Sequence, residues 1–542
     1  MIVERFKTSF ARNIFNQKYA QGASDTWDAL SDRVVRAVCN DDTRPLMSKE
    51  DQKQLAEYIK EQKFIPGGRY LYYAGRAKRF YNNCFLFRGE EDTREEWANI
   101  AHKAMITLMT GGGIGVDYSV FRPSGALLQQ TGGKASGPIP LMCAVNEIGR
   151  NVMQGGSRRS AIYASLHHSH EDIPLFLKSK NWSELIRSAK AQDFNFPAQL
   201  DMTNVSVNYD DTWTEGAKDP TFLENCRQAL STGEPGFSFN FGKKTNETLR
   251  NPCCEVTSED DSDVCNLGSV NIGNIKTLEE LKDVICLGTK FLVCGTIRAE
   301  LPFEKVKRVR EKNRRLGLGL MGIHEWLLAH ESKYEVTDEL HRWLKVYEAE
   351  SRRAADEHCD RLFLSRSVAV RAIAPTGSIG ILASTTTGIE PLFAVAYKRR
   401  YLTDGTKWKY EYVVDATADR MIKEYGVAPD SIQTAYQLSP HPEKRIKFQA
   451  DIQDYVDMSI SSTINLPTWG TEHNNEDLVP KFAGILAKYA HRLRGFTCYP
   501  DGSRGGQPIT EVDYKEAMEH KGVVFEETDV CELSGRGGTC GG

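Results

Sequence analysis

The chain has 542 residues, 69 Lys+Arg against 73 Asp+Glu for a net charge of −4, and 40% hydrophobic content. That balance supplies no field to draw the molecule onto nucleic acid, and no apolar run approaches the ~18 residues of a membrane span, so neither partner is expected. The opening MIVERFKTSF lacks the apolar stretch of a signal peptide, and thirteen cysteines is an odd number for a disulfide scaffold, so a cytoplasmic chain whose thiols react or simply pack is expected.

Residues 1–60 are polar, with Trp27, Leu30, Val34 and Val35, then Leu55, Tyr58 and Ile59, at helical spacing, which predicts a helical N-terminal region. From Phe64 onward, short apolar runs at 70–73, 85–87, 139–145 and 162–166 alternate with helical stretches and glycine clusters, the pattern of an α/β body. No linker-like composition interrupts it, so one catalytic-size domain is expected over 61–525, followed by a tail at 526–542. The clusters 111-GGGIG-115 and 155-GGSRR-159 read by themselves as turns. The run 304-EKVKRVREKNRR-315 holds seven Lys/Arg and two Glu. With Val306, Val309 and Leu316 it reads as an amphipathic helix with a solvated face, not a nucleic-acid patch. The ending CELSGRGGTCGG has too few apolar side chains for a core, so Cys531 and Cys540 are expected on a mobile arm.

The most informative segment is 251-NPCCEV-256, followed by 264-VCNLGSVNI-272. If it is extended, Asn251, Cys253 and Glu255 share one face while Cys254 points away. A carboxylate raises a neighbouring thiol's pKa and no histidine stands nearby in sequence, which disfavours hydrolase-type thiolate chemistry. A thiol beside a carboxylate does suit one-electron chemistry, in which a thiyl radical takes a hydrogen atom and the carboxylate a proton. A buried strand with incidental cysteines is the competing reading of this segment alone.

These words and others (64-FIPGGRYLYYAG-75, 82-NNCF-85, 111-GGGIGVDYSVFRPSG-125, 154-QGGSRRSA-161, 313-NRRLGLGLMG-322, 374-APTGSIGILASTTTGIEPLF-393, 457-DMSISSTIN-465 and 496-FTCYPDGSRGGQPI-509) together resemble ribonucleotide reductase. The resemblance implies a ten-stranded α/β barrel of two antiparallel five-stranded halves with Cys253 on a central finger loop, and an enclosed site that shields radicals from solvent. It implies that Cys253 is the thiyl residue that abstracts the 3′-hydrogen, that Glu255 is the base on the 3′-hydroxyl, and that Asn251 binds the sugar hydroxyls. Cys84 and Cys265 would be the redox pair, with Cys531 and Cys540 relaying electrons from a thioredoxin- or glutaredoxin-type donor. Pro375, Thr376, Gly377, Ser378 and Ile379 would hold the substrate phosphates. Asp92, Arg122 and Lys134 would bind a dNTP or ATP effector, and Gly155, Gly156, Ser157, Arg158 and Arg159 would form the specificity loop.

The wording DGSRGGQPI and PTGSI is similar to the class II enzymes, whose cofactor is adenosylcobalamin. Where a class I subunit, fed by a metal-containing partner protein, would carry a Tyr-Tyr pair, this chain has Cys498 and Tyr499. The resemblance further implies a homodimer without an ATP cone, and no metal site is assigned. A class I catalytic subunit and a catalytically silent nucleotide sensor are the competing readings; the full set of Cys84, Asn251, Cys253, Glu255 and Cys265 speaks against the sensor.

Overall fold

The structure is a computed structural model that describes residues 5–129, 131–152, 160–193, 195–403, 407–501, 509–520 and 524–526. Three helices open the described chain: α1 (Ser9–Lys18), α2 (Trp27–Val38) and α3 (Lys49–Lys60). Each starts on a hydroxyl, the oxygens of Thr8, Thr26 and Ser48 accepting the N–H of Ala11, Ala29 and Asp51, which satisfies donors that a helix start leaves open. Their apolar spacing turns inward. Trp27, Leu30, Val34, Leu55 and Ile59 are buried in one core with side chains of the helices Leu278–Arg298 and Asp338–Arg361.

Ten strands make the main sheet: β1 (Phe64–Pro66), β2 (Cys84–Arg88), β3 (Gly113–Asp117), β4 (Ile162–His167), β5 (Thr203–Asp210), β6 (Gly236–Asn240), β9 (Asp263–Asn271), β10 (Leu316–Met321), β13 (Thr463–Leu466) and β14 (Gly495–Pro500). Between β6 and β9 lies a small ladder of β7 (Leu249–Arg250) with β8 (Thr257–Ser258). A separate antiparallel sheet joins β11 (Ala396–Thr403), β12 (Lys407–Val414), β15 (Ile509–Glu511) and β16 (Val524–Glu526). Pairing in the main sheet is mostly parallel: β2 through β6 run parallel in sequence order, as do β9 with β10 and β13 with β14. The two parallel groups meet antiparallel at β2–β9 and at β6–β14, and β1 adds antiparallel to β9. Isolated parallel bridges join Leu318 to Arg371 and Ile373 to Ile460. Among the described residues no helix is long and apolar enough to cross a membrane.

Four details differ from the sequence reading. The runs at 85–87 and 162–166 lie in strands, but 70–73 lies in the helix Gly68–Tyr73 and 139–145 in the helix Ile139–Asn151. Pro140 near the start of that second helix suits it, since a first-turn residue needs no intrahelical donor. In the cluster 111–115 only Gly111 turns the chain, at φ +88°, while Gly113 and Gly115 belong to β3. The basic run does form a helix, Glu304–Asn313, but Arg310, Arg314 and Arg315 are buried. Arg315 donates to Asp263 at 2.9 Å, so part of that charge is internal structure, not a solvated face.

Candidate active site

The segment 251–255 is a turn, not an extended strand: Cys254 sits at φ +65° and its N–H donates to Asn251 O at 2.9 Å. The turn still sorts the side chains as alternation would. Asn251, Cys253 and Glu255 line a cavity of about 820 Å³, while Cys254 is buried away from it. Asn251 holds the turn from within, its Oδ1 accepting from Val256 N at 2.9 Å. Asn204 Nδ2 donates to Pro252 O at 2.8 Å. Below, the buried guanidinium of Arg250 donates to Asn240 Oδ1 at 2.6 Å and to Arg494 O at 3.1 Å.

β3 supports the turn by what it lacks. A Cβ on Gly115 would lie 1.6 Å from Arg250 O, and one on Gly113 would lie 2.9 Å from Pro252 Cγ. Glycine at alternate strand positions lets another backbone approach. That spacing is the signal by which Gly113 and Gly115 could have been found; their reading as a turn missed it, and nothing in the sequence marked Arg250.

Cys84, the first residue of β2, faces the same cavity. Its Sγ accepts from Asn251 Nδ2 at 3.0 Å and lies 3.8 Å from Glu255 Oε1. Cys265 of β9 is directly opposite Cys84 in the antiparallel register. Directly opposed residues have Cα atoms about 4.5–5.5 Å apart, within the range a disulfide spans. Both are free thiols, Cys265 fully buried behind Cys84. Burial first, then the charge of Glu255, pushes the Cys84 thiol well above its ordinary value, and burial does the same to Cys265. Both therefore stay protonated.

Cys253 is exposed, whereas the sequence reading expects it enclosed. It is among the residues that line the cavity. Glu255 is buried, with Oε1 near Cys84 and Oε2 lacking a hydrogen-bond partner, and Asn83 Oδ1 on the same cavity is likewise unmet. Unmet buried acceptors are costly and mark places for a ligand's hydroxyls.

Burial pushes the Glu255 carboxyl up from its ordinary 4.5 to about 7, opposed by hydrogen bonds from Asn251 and Cys84. A carboxyl raised in this way binds its proton more tightly folded than unfolded. Stability from this group is present below pH 4.5 and falls by about 3 kcal/mol as pH rises through 7. Glu255→Gln is expected to flatten the stability profile between those limits, as urea melts at a series of pH values would show.

Pro375, Thr376, Gly377, Ser378 and Ile379 lie across the cavity, at the start of the short helix Gly377–Ala383. Thr376 is itself left-handed, at φ +53°, and its Oγ1 accepts from Gly388 N at 2.8 Å. From α1, Lys18 reaches Ser378 Oγ at 3.4 Å. A second cavity of about 790 Å³ adjoins at Pro375 and Gly377, lined by Thr385, Thr386, Thr387 and Ser384, whose Oγ is buried without a partner. The cavity therefore lies where β2, β3 and β4 begin and where the stretch carrying Arg371 and Ile373 ends.

Residues 82–215, 226–349 and 365–493, well over half of the chain, match the model of the ribonucleotide reductase barrel domain. The chain belongs to the ribonucleotide reductases. It is similar to a vitamin B12-dependent ribonucleoside-diphosphate reductase of Mycobacterium tuberculosis, 26% identical over 95% of this chain and 81% of that protein. A protein of the same description from Thermoplasma acidophilum is 25% identical over 84% of this chain and 66% of its own length. A putative adenosylcobalamin-dependent ribonucleoside-triphosphate reductase of Mycobacterium phage D29 is 26% identical over 79% and 72%.

Other residues that the reductase resemblance singles out lie apart from this cavity. Asp92 and Arg122 form an ion pair at 2.5 Å near the surface, and Lys134 is exposed on a loop bridged to Leu127. Cys498 packs in an outer core, its Sγ donating to Ala229 O at 3.4 Å, and takes no part in lining either cavity. Gly155, Gly156, Ser157, Arg158 and Arg159, together with Cys531 and Cys540, lie outside the described residues.

Proposed function

We propose that this chain is a class II reductase that removes the 2′-hydroxyl of a ribonucleoside di- or triphosphate at the cavity shared by Cys84, Asn251, Cys253 and Glu255. The observation that carries this reading is the convergence of one cavity-facing thiol, one raised carboxyl and a cross-strand dithiol. The vitamin B12-dependent and adenosylcobalamin-dependent relatives support the cofactor.

The site residues fit adenosylcobalamin. Two adjoining cavities give a large cofactor room beside Cys253, and the hydroxyls of Thr385, Thr386, Thr387 and the unmet Ser384 Oγ suit the amide arms of a corrin. No histidine lines either cavity among the described residues, which accords with a cobalamin that keeps its own base. Bound there, adenosylcobalamin would supply, through its weak cobalt–carbon bond, the oxidant for the hydrogen atom of the Cys253 thiol.

The chain's own residues then share the chemistry. Cys253 takes the 3′-hydrogen, Glu255 takes the proton of the 3′-hydroxyl, and Asn251 holds the sugar hydroxyls. Cys84 protonates the departing 2′-hydroxyl, which leaves as water. One of the two thiol protons is the one that leaves in that water; the other, with the two electrons released as Cys84 and Cys265 join in a disulfide, forms the new C2′–H bond, Glu255 returns the 3′-hydroxyl proton, and Cys253 returns its hydrogen to C3′. Pro375, Thr376, Gly377, Ser378 and Ile379 hold the phosphates. We infer that Cys531 and Cys540 re-reduce the pair by thiol exchange, supplied by a thioredoxin- or glutaredoxin-type donor in the cytoplasm.

The barrel reading is supported by the two isolated bridges, which would carry parallel pairing from β10 through 371–373 and 460 to β13, closing ten strands as two antiparallel halves. A helical region at 1–60, a barrel domain at 61–525 and a redox tail at 526–542 complete that reading. Asp92 and Arg122, already paired, together with Lys134 and the loop 155–159, would form the effector site of a homodimer.

Adenosylcobalamin alone, with no second protein, is expected to support deoxyribonucleotide formation with a chemical dithiol as reductant. Without that reductant, and with Cys531→Ser and Cys540→Ser so that no tail thiol re-reduces the site, one turnover is expected to lower the mass of the peptide pair holding Cys84 and Cys265 by two hydrogens. Turnover only with an added radical-generating subunit would overturn the class II assignment, and turnover without oxidation of that pair would overturn the redox roles. Glu255→Gln is expected to slow the reaction about 10²–10⁴-fold and to remove the rise in rate through about pH 7.

A further inference from the structure

β4 and β5 end side by side at the rim opposite the cavity that holds Cys253, about 20 Å along β4 from Ala161 in its lining. His167, the last residue of β4, is in register with Asn208. In an unbroken strand the next side chain would project to the other face. The chain instead turns at His168, whose N–H donates to Asn208 O at 2.9 Å, and the two imidazole rings come to 4.5 Å between centroids. Asp210, at the end of β5, meets both: His167 Nε2 is 3.0 Å from its Oδ2 and His168 Nε2 is 3.8 Å from its Oδ1. Among the described residues this is the one group of three metal-ligating side chains whose donor atoms all lie within 4.8 Å of one another.

We propose that His167, His168 and Asp210 bind a divalent first-row transition ion, with a fourth position open to water. With one donor atom from each side chain, all three lie within 4.8 Å of one another, so small side-chain movements bring them to the roughly 3.3 Å between donor atoms on a tetrahedral ion with bonds of about 2.0–2.1 Å. Outer contacts aim His167 and Asp210, while His168 Nε2, 3.0 Å from Thr212 Oγ1, would exchange that partner for the ion. His167 Nδ1 shares a hydrogen bond with Ser169 Oγ at 2.8 Å, which leaves Nε2 toward the carboxylate. Asp210 Oδ1 accepts from Thr212 N at 2.9 Å and from Thr212 Oγ1 at 2.5 Å. Two imidazoles and a carboxylate suit zinc or iron better than calcium or magnesium.

The ion would brace more than two strand ends. His167 N–H donates to Ser119 Oγ at 2.9 Å and His170 Nε2 donates to Phe121 O at 2.8 Å. The loop that leads from β3 to Arg122 is thus tied to the same rim.

Zinc is the probe, on the full chain after chelation, with bound metal counted after dialysis against a buffered zinc solution. Thirteen cysteines offer other sites, so the measurement is the difference between wild type and two variants that leave every thiol in place, His168→Ala and Asp210→Asn. Each is expected to lose one equivalent of zinc and the part of the zinc-induced rise in Tm that goes with it. Cobalt(II) on the wild type provides a check that needs no variant: a visible band without the near-ultraviolet thiolate charge transfer is expected for one equivalent. Equal zinc content and equal Tm shifts, or cobalt bound through thiolate alone, would overturn the site and leave a hydrogen-bonded His–Asp cluster.

Discussion

Cys253→Ala is expected to end deoxyribonucleotide formation, a loss of more than about a thousandfold, while the folded state is kept. Of the two thiols that line the cavity, Cys253 is exposed and Cys84 is buried. Cys253→Ser tests this more sharply, because its O–H bond is far stronger than S–H while its shape is nearly the same. The side chain is exposed, so either change is expected to move Tm by no more than about 2 °C. Cys84→Ala makes a useful contrast. It would remove a buried sulfur and strand Asn251 Nδ2, costing about 1–3 kcal/mol as well as activity. Residual steady turnover by Cys253→Ala, with product confirmed by mass, would remove this thiol from the chemistry.

Gly115→Ala is expected to disable the protein from beneath the site. The added carbon would sit 1.6 Å from Arg250 O, 2.8 Å from its carbonyl carbon and 3.3 Å from Asn251 Cα, all backbone atoms with no rotamer to yield. Either β3 or the turn that carries Asn251 through Glu255 must move. A cost of about 3 kcal/mol or more is expected. Because a displacement of about 1 Å costs about a hundredfold in an aligned site, the surviving folded fraction is expected to be at least that much slower. Gly484→Ala is the control: this exposed glycine of the helix Val479–Tyr489 has nothing within 4 Å of a new Cβ, so it is expected to stabilise by about 0.5–1 kcal/mol. Wild-type urea midpoints for Gly115→Ala would show that strand and turn are not closely apposed.

Much of the site was legible as words and little of it as geometry. The N-x-C-x-E pattern placed Asn251, Cys253 and Glu255 together by assuming an extended backbone; they do share a cavity, through a turn that a non-glycine residue at φ +65° makes possible. Local periodicity cannot announce such a conformation, since Cys254 adopts it only because its surroundings over-determine it. Cys84 and Cys265 become neighbours through strand register, and register is a property of two segments at once. The same reason hid His167, His168 and Asp210, which sit near one another only because β4 and β5 pair as they do. The helical N-terminal stretch was readable because its apolar spacing and capping hydroxyls are local. The runs at 70–73 and 139–145 were ambiguous because short apolar stretches fit either helix or strand.

The antiparallel seam between β2 and β9 has a consequence for how such a protein can vary. With one group of strands beginning at the mouth and the other finishing there, the thiol at the head of β2 and the segment proposed to hold phosphates lie on chain of opposite polarity. If the segment following Ile373 holds the phosphates as proposed, it can lengthen, shorten or change its hydroxyls to suit a longer or shorter phosphate tail. The thiols at the head of β2 and within β9 would feel none of it, so substrate choice and redox machinery are free to diverge at separate tempos.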